Sequence, residues 1–177
     1  MKHNQASKES IYWTRLECED WQMYIAASEA GLCYVSSQPQ SFMELQQWVS
    51  QHKPDQALIR DDEKLLPYVA ELLQYLQGER QAFSVPLDYS GTPFQMTVWK
   101  ALCAIPYGHT MSYSEIAEAI KKPAAVRAVG AAIGANPILI TIPCHRVIGK
   151  NGTLTGYRGG IEMKRKLLQL EQAQRSS

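Results

Sequence analysis

A chain of 177 residues is long enough for one comfortable domain or two small ones, and its 45% apolar and 20% charged residues are those of a globular protein with a real core. No apolar run approaches the roughly 20 residues of a membrane helix. The N-terminus, Met1-Lys2-His3-Asn4-Gln5, lacks the apolar segment of a secretory signal, so a cytoplasmic address and no membrane partner are expected.

The formal charge of +1 is unevenly spread. Residues 1–90 carry 7 Lys/Arg against 13 Asp/Glu, and residues 91–177 carry 11 against 4, a net −6 followed by +7. The second half therefore suits a polyanion, although solvated basic faces are common. The four cysteines, Cys18, Cys33, Cys103 and Cys144, form no CxxC pair and read as free thiols. Cys18 and Cys33 with His3 or His52 match no compact zinc spacing, so no metal is expected.

In chain order, the runs Ile11-Tyr12-Trp13-Thr14, Met23-Tyr24-Ile25 and Leu32-Cys33-Tyr34-Val35 read as strands of a small sheet, with Glu29-Ala30-Gly31 as a turn. Tyr12, Trp13, Trp21 and Tyr24 are assigned to its core. Ser41 to His52 reads as a helix. Leu65, Val69, Leu72 and Leu76 lie at helical spacing in a second, where Pro67 either kinks the helix or marks its first turn. Gly78 closes it, and Phe83 to Gly91 reads as an extended linker. The expected division is an α/β structural domain over 1–88 and a mostly helical domain over 89–177, an α+β fold overall.

Thr92-Pro93-Phe94-Gln95 opens the next helix with a capping box, and Ser112-Tyr113-Ser114-Glu115 opens another that runs to about Ile120. A further helix is expected from about Ala124 to Gly134. Two short helices across the tight Lys121-Lys122-Pro123 turn fit a helix-turn-helix, although on motif frequency alone an ordinary αα-hairpin is the commoner arrangement. The second of them is nearly all small residues with one charge, Arg127. It lacks the Arg, Asn and Gln side chains that address base edges in the major groove. Its thin face suits close, sequence-independent contact in the minor groove with one residue inserted.

Ile138 to Ile142 is an apolar run ending at Pro143, so Cys144 follows it on an extended segment at the edge of the core. On the Cys144-His145 dipeptide alone, a protonated, inert thiol beside an incidental imidazole is the commoner situation. A reactive cysteine needs a neighbour able to take its proton, and His145 is one.

Pro143-Cys144-His145-Arg146-Val147 resembles the active-site signature of the O6-alkylguanine-DNA alkyltransferases. The likeness extends through Leu87-Asp88, Gly91-Thr92-Pro93-Phe94-Gln95, Val98-Trp99, Ile105-Pro106-Tyr107-Gly108, Ser112-Tyr113, Arg127-Ala128-Val129-Gly130, Asn136-Pro137, Gly156-Tyr157 and the Lys164–Glu171 helix. It continues weakly into Tyr75, Gly78, Arg80 and Phe83.

The resemblance implies that Cys144 accepts the alkyl group from guanine O6 and that His145 takes its proton through a water, with Glu171 orienting the imidazole. It implies that Asn136 anchors the active-site loop and that Arg127 fills the space left by a flipped nucleotide. Tyr113 would press the neighbouring phosphate and donate toward guanine N3. Ala125, Ala128 and Gly130 would face DNA, while Val147, Tyr157, Arg158 and Lys164 would line the base pocket. The backbone of Cys144 and Val147 would accept from the 2-amino group, and the Arg158 amide would donate to O6.

The partner implied is double-stranded DNA carrying O6-alkylguanine, or O4-alkylthymine, met from the minor groove by a monomer without a cofactor. A thioether has no easy route back to thiol, so one chain should repair one lesion. Two departures stand out: Arg158 where some relatives have serine, expected to narrow the rim or touch phosphate, and Leu139 where some have proline. The competing readings are a non-catalytic lesion-binding relative, a helix-turn-helix regulator and a Cys-His hydrolase. The first lacks the acceptor cysteine that is present here. The second is opposed by the alanine-rich helix, and the third usually separates its Cys and His widely.

Overall fold

The computed structural model describes residues 9–38 and 42–176; His3 and Ser41 lie outside them. The three apolar runs form an antiparallel meander: β1 (Ser10–Cys18), β2 (Trp21–Ala27) and β3 (Leu32–Val35). Glu29–Gly31 is the second of its turns. The first, at Glu19-Asp20, places Glu19 at φ 49 and carries no Gly or Pro to signal it. A fourth strand that the sequence did not disclose, β4 (Ala57–Arg60), pairs parallel with β1, giving the order β3-β2-β1-β4.

Alternation along the strands sorts side chains to two faces. Ile11, Ala26, Cys33 and Tyr34 pack under α1 (Phe42–His52), which buries Leu45 and Val49 there. Trp13, Tyr24 and Phe42 close the same cluster as an aromatic trio. Tyr12, Leu16, Trp21, Met23 and Ile25 point to the other face and join the main core. Cys33 is buried, and burial pushes its thiol up to about 12.

In α2 (Leu66–Leu76) Pro67 sits in the first turn, where its missing N–H costs nothing, so it starts the helix and does not kink it. Gly78 follows at φ 77. The linker then runs beside β3, with Leu32 N donating to Pro86 O at 2.9 Å and Asp88 N to Leu32 O at 2.8 Å. Glu71 on α2 accepts from the amides of Ser84 and Val85 at 2.8 and 3.2 Å.

Both capping boxes form with both of their hydrogen bonds, opening α3 (Pro93–Cys103) and α4 (Tyr113–Ala119). The next helix, α5 (Val126–Gly134), starts two residues later than expected. Ala125 is its N-cap, and the turn before it holds Lys121 at φ 60. With α3 packed on both, α4 and α5 have the arrangement of a helix-turn-helix. A two-residue parallel pair, β5 (Met111–Ser112) with β6 (Val147–Ile148), ties the start of α4 to the residue after the Cys144 turn. The chain ends in α6 (Ile161–Arg175).

The halves meet in one continuous apolar cluster running from Leu16 to Leu167. At their seam Val35 N donates to Pro137 O at 3.0 Å. No helix among the described residues is long and apolar enough to cross a membrane, and among them no group of three or more His, Cys, Asp or Glu is placed to hold a metal ion.

Candidate active site

The segment before Cys144 is coiled, not extended. Thr141 N donates to Leu139 O at 2.8 Å, Ile142 N to Ile138 O at 3.1 Å, and Cys144 N to Ile142 O at 2.8 Å. Ile140 takes φ 71, and Cys144–Arg146 form a 3-10 turn. The physical reason is crowding: these apolar side chains are all buried, and successive turns aim them into the core where one face of a strand would not.

Cys144 is 2% exposed. Asn136 follows α5 and is wholly buried; its Nδ2 donates to Cys144 Sγ at 3.1 Å and to Ile142 O at 3.0 Å, while its Oδ1 accepts from Ile138 N at 2.9 Å. Burial pushes the Cys144 thiol pKa up, against the Asn136 hydrogen bond and the positive charges of Arg158 and Lys164.

His145 and Glu171 meet at 2.8 Å between Nε2 and Oε1, both fully buried. The same carboxylate accepts from Tyr75 Oη at 2.6 Å, from Gly108 N at 3.1 Å and from the Arg146 guanidinium at 2.8 to 3.1 Å. Burial alone would raise its pKa, but the hydrogen bonds from His145 and Arg146 outweigh that and hold it well below the usual carboxylate range. An ionised Glu171 fixes the proton of His145 on Nε2. Burial, only partly offset by Glu171, keeps the imidazole pKa below its ordinary value, so the ring is neutral. Nδ1 is then a bare acceptor, and it has no partner among the side chains and backbone around it. It is a proton acceptor in waiting, one residue from the thiol.

The residues expected at DNA lie on α4 and α5. Arg127 and Ala128 are exposed on α5, with Ala125 and Gly130 half-buried. Tyr113, first residue of α4, donates from Oη to Thr155 O at 3.0 Å. Its ring lies over Gly130, where an added Cβ would stand 3.9 Å away.

Of the residues expected at the base pocket, Val147 and Tyr157 are buried, and Tyr157 Oη has no hydrogen-bond partner. Gly159 allows the close packing beyond them: a Cβ there would come within 2.5 Å of the Tyr157 ring and 2.6 Å of Met163 Sδ. The Cys144 carbonyl accepts from Val147 N. Lys164 Nζ donates to Val147 O and, at 3.0 Å, to Thr155 O. Lys164 thus ties the strand after the Cys144 turn to the loop at Thr155.

Two expectations change. The Arg158 side chain neither narrows the rim nor reaches outward for phosphate. It turns into the seam, where backbone carbonyls hold it. Three of the eleven cations of the second half, Arg146, Arg158 and Lys164, are likewise engaged in interior hydrogen bonds, so the basic surface is smaller than the count implied.

Sequence reasoning gave no role to Tyr75 or Arg146, which both hold Glu171. Arg146 lay inside the motif and was the available signal. Tyr75 sits 96 residues from its partner, and only the weak extension of the resemblance into the first half touched it.

The chain is similar to known proteins along nearly its whole length. Residues 11–89 match the family described as 6-O-methylguanine DNA methyltransferase, ribonuclease-like domain, and residues 93–173 match its DNA binding domain. The chain is 59% identical over 167 residues, 94% of its length and 93% of the relative's, to the inducible methylated-DNA–protein-cysteine methyltransferase of Bacillus subtilis. It is 39% identical over 163 residues, 92% of its length and 87% of the relative's, to the corresponding protein of Haemophilus influenzae. Among solved structures, Mycobacterium tuberculosis OGT in complex with DNA superposes with a TM-score of 0.80 at 41% identity, over 92% of this chain and 94% of that one. The chain belongs to the 6-O-methylguanine DNA methyltransferase family.

Proposed function

We propose that this protein repairs O6-alkylguanine in DNA by moving the alkyl group onto its own Cys144. It is a DNA-repair alkyltransferase of the single-use kind, transferring the group to a cysteine of the protein. The observation that supports Cys144 as that cysteine is the pairing of Asn136 Nδ2 on its Sγ with a neutral His145 whose Nδ1 is unpartnered.

The thiol proton passes through a water to His145 Nδ1, leaving a thiolate that Asn136 steadies. Sulfur then takes the alkyl carbon as the carbon–O6 bond breaks, and the electron pair stays on the base. Guanine recovers a proton equivalent to the one Cys144 gave up, helped by the Tyr113 hydroxyl at N3 and the Arg158 amide at O6. The thioether is stable, so the chain is consumed.

O6 lies inside the paired duplex, and the target nucleotide must leave the stack at a cost of a few kcal/mol. Arg127, exposed on a helix of small residues, is placed to fill the gap from the minor groove. Ala125, Ala128 and Gly130 let that helix approach the backbone closely. We further assign 1–88 as the structural domain and 89–177 as the DNA-binding and acceptor domain of a cytoplasmic monomer; O4-alkylthymine is a second candidate lesion.

The test is labelled alkyl transfer from duplex DNA. Wild type should take up one label per chain, and Cys144→Ser none. Several transfers per chain, or label retained by the serine variant, would refute the reading.

A further inference from the structure

Arg158 lies in the turn between Tyr157 and α6. Its Nε donates to Asn136 O at 3.0 Å, and one terminal nitrogen donates to both Val35 O at 2.9 Å and Pro137 O at 3.2 Å. The guanidinium stands 5.4 Å over the Tyr34 ring. Val35 ends β3 in the first half, whereas Asn136 and Pro137 lead into the active-site loop in the second. One planar cation therefore joins the sheet to the residue that hydrogen-bonds the acceptor sulfur. Its rigid fork suits three carbonyls in a way that a lysine point charge does not.

We propose that Arg158 is a positioning residue for the transfer: by clamping Asn136 and Pro137 to Val35 it fixes the Asn136 side chain on Cys144 Sγ and sets a positive charge behind the sulfur. The proposal rests on Cys144 being the acceptor. Besides Asn136 and Arg158, the groups facing the thiol are Lys164 from α6, Tyr113 from α4 and Tyr157 beside Arg158; the His145 ring next in the chain is turned to Glu171. Arg158 itself and Lys164 are the cations that favour its ionised form against burial.

The experiment is single-turnover transfer from O6-methylguanine duplex DNA to wild type, Arg158→Met and Arg158→Lys from neutral to alkaline pH. Rates are normalised to the folded fraction from thermal melts. The Met variant should be about tenfold slower, with its rising pH limb displaced upward by about half a unit or more. The Lys variant should keep the wild-type limb and recover only part of the rate. A Met variant with wild-type rate and limb would overturn the proposal. So would equal losses in both variants with an unmoved limb, which mark a purely structural role, or full rescue by lysine, which removes the fork. Failure of the parent reading is separately visible, as label retained in Cys144→Ser.

Discussion

The Tyr75 hydroxyl donates to Glu171 Oε1 at 2.6 Å, so a helix of the first half reaches directly into the hydrogen-bond relay behind Cys144. The ring is fully buried and packs against Phe83 and Tyr107.

Tyr75→Phe keeps that packing and removes one of the donors that hold the carboxylate. A neutral hydroxyl on a charged acceptor contributes about 1.5–3 kcal/mol. We expect the variant to lose about that much stability in urea and to transfer several-fold more slowly, because Glu171 no longer holds His145 in one orientation. Wild-type kinetics with lowered stability would confine Tyr75 to the core.

Acid should loosen the same network in two stages. Burial holds His145 below its ordinary 6.5, so the folded chain binds fewer protons there than the unfolded one. Its contribution is complete above 6.5 and declines as pH falls through that value. Glu171, held below 4.5 mainly by His145 and Arg146 against the effect of burial, contributes fully above 4.5 and is lost below it. Unfolding free energy measured against pH should show both declines, and His145→Gln should lack the upper one. A wild-type curve that is flat across 6.5 would contradict a buried neutral imidazole.

Lys164→Met removes the donor shared by the Val147 and Thr155 carbonyls. Val147 is buried, and leaving its carbonyl unpaired costs about 1–3 kcal/mol. The pocket wall should loosen and transfer should slow even with free O6-benzylguanine, which needs no DNA contact. Unimpaired reaction with the free base would show that the brace matters only to the fold.

Arg127→Ala should separate the two substrates in the opposite sense. Duplex repair should fall about tenfold or more, while reaction with free O6-benzylguanine stays within about twofold, since only the duplex has a gap to fill. Equal losses on both would remove the wedge role.

What the sequence disclosed was mostly what is local. The capping boxes at Thr92 and Ser112 need only residues three apart and formed as read. The strands of the meander were visible because β-branched and aromatic residues cluster in them. β4 was not, since Ala57–Arg60 is short, largely exposed and held by parallel pairing with a strand more than forty residues earlier. In the site, Cys144, His145, Asn136 and Glu171 were legible through the family motif, and the structure brings them together. Arg158 was placed correctly along the chain but aimed wrongly, because its direction is decided by Val35, 123 residues away.

Burial of Cys144 has a consequence outside repair. Peroxides and small disulfides attack thiolates that they can reach, and a cysteine 2% exposed with a raised pKa offers neither access nor charge. Each molecule can react only once, so shielding preserves the standing supply from oxidants and stray electrophiles. The count of intact molecules then records alkyl damage met in DNA, not the general chemical stress of the cell.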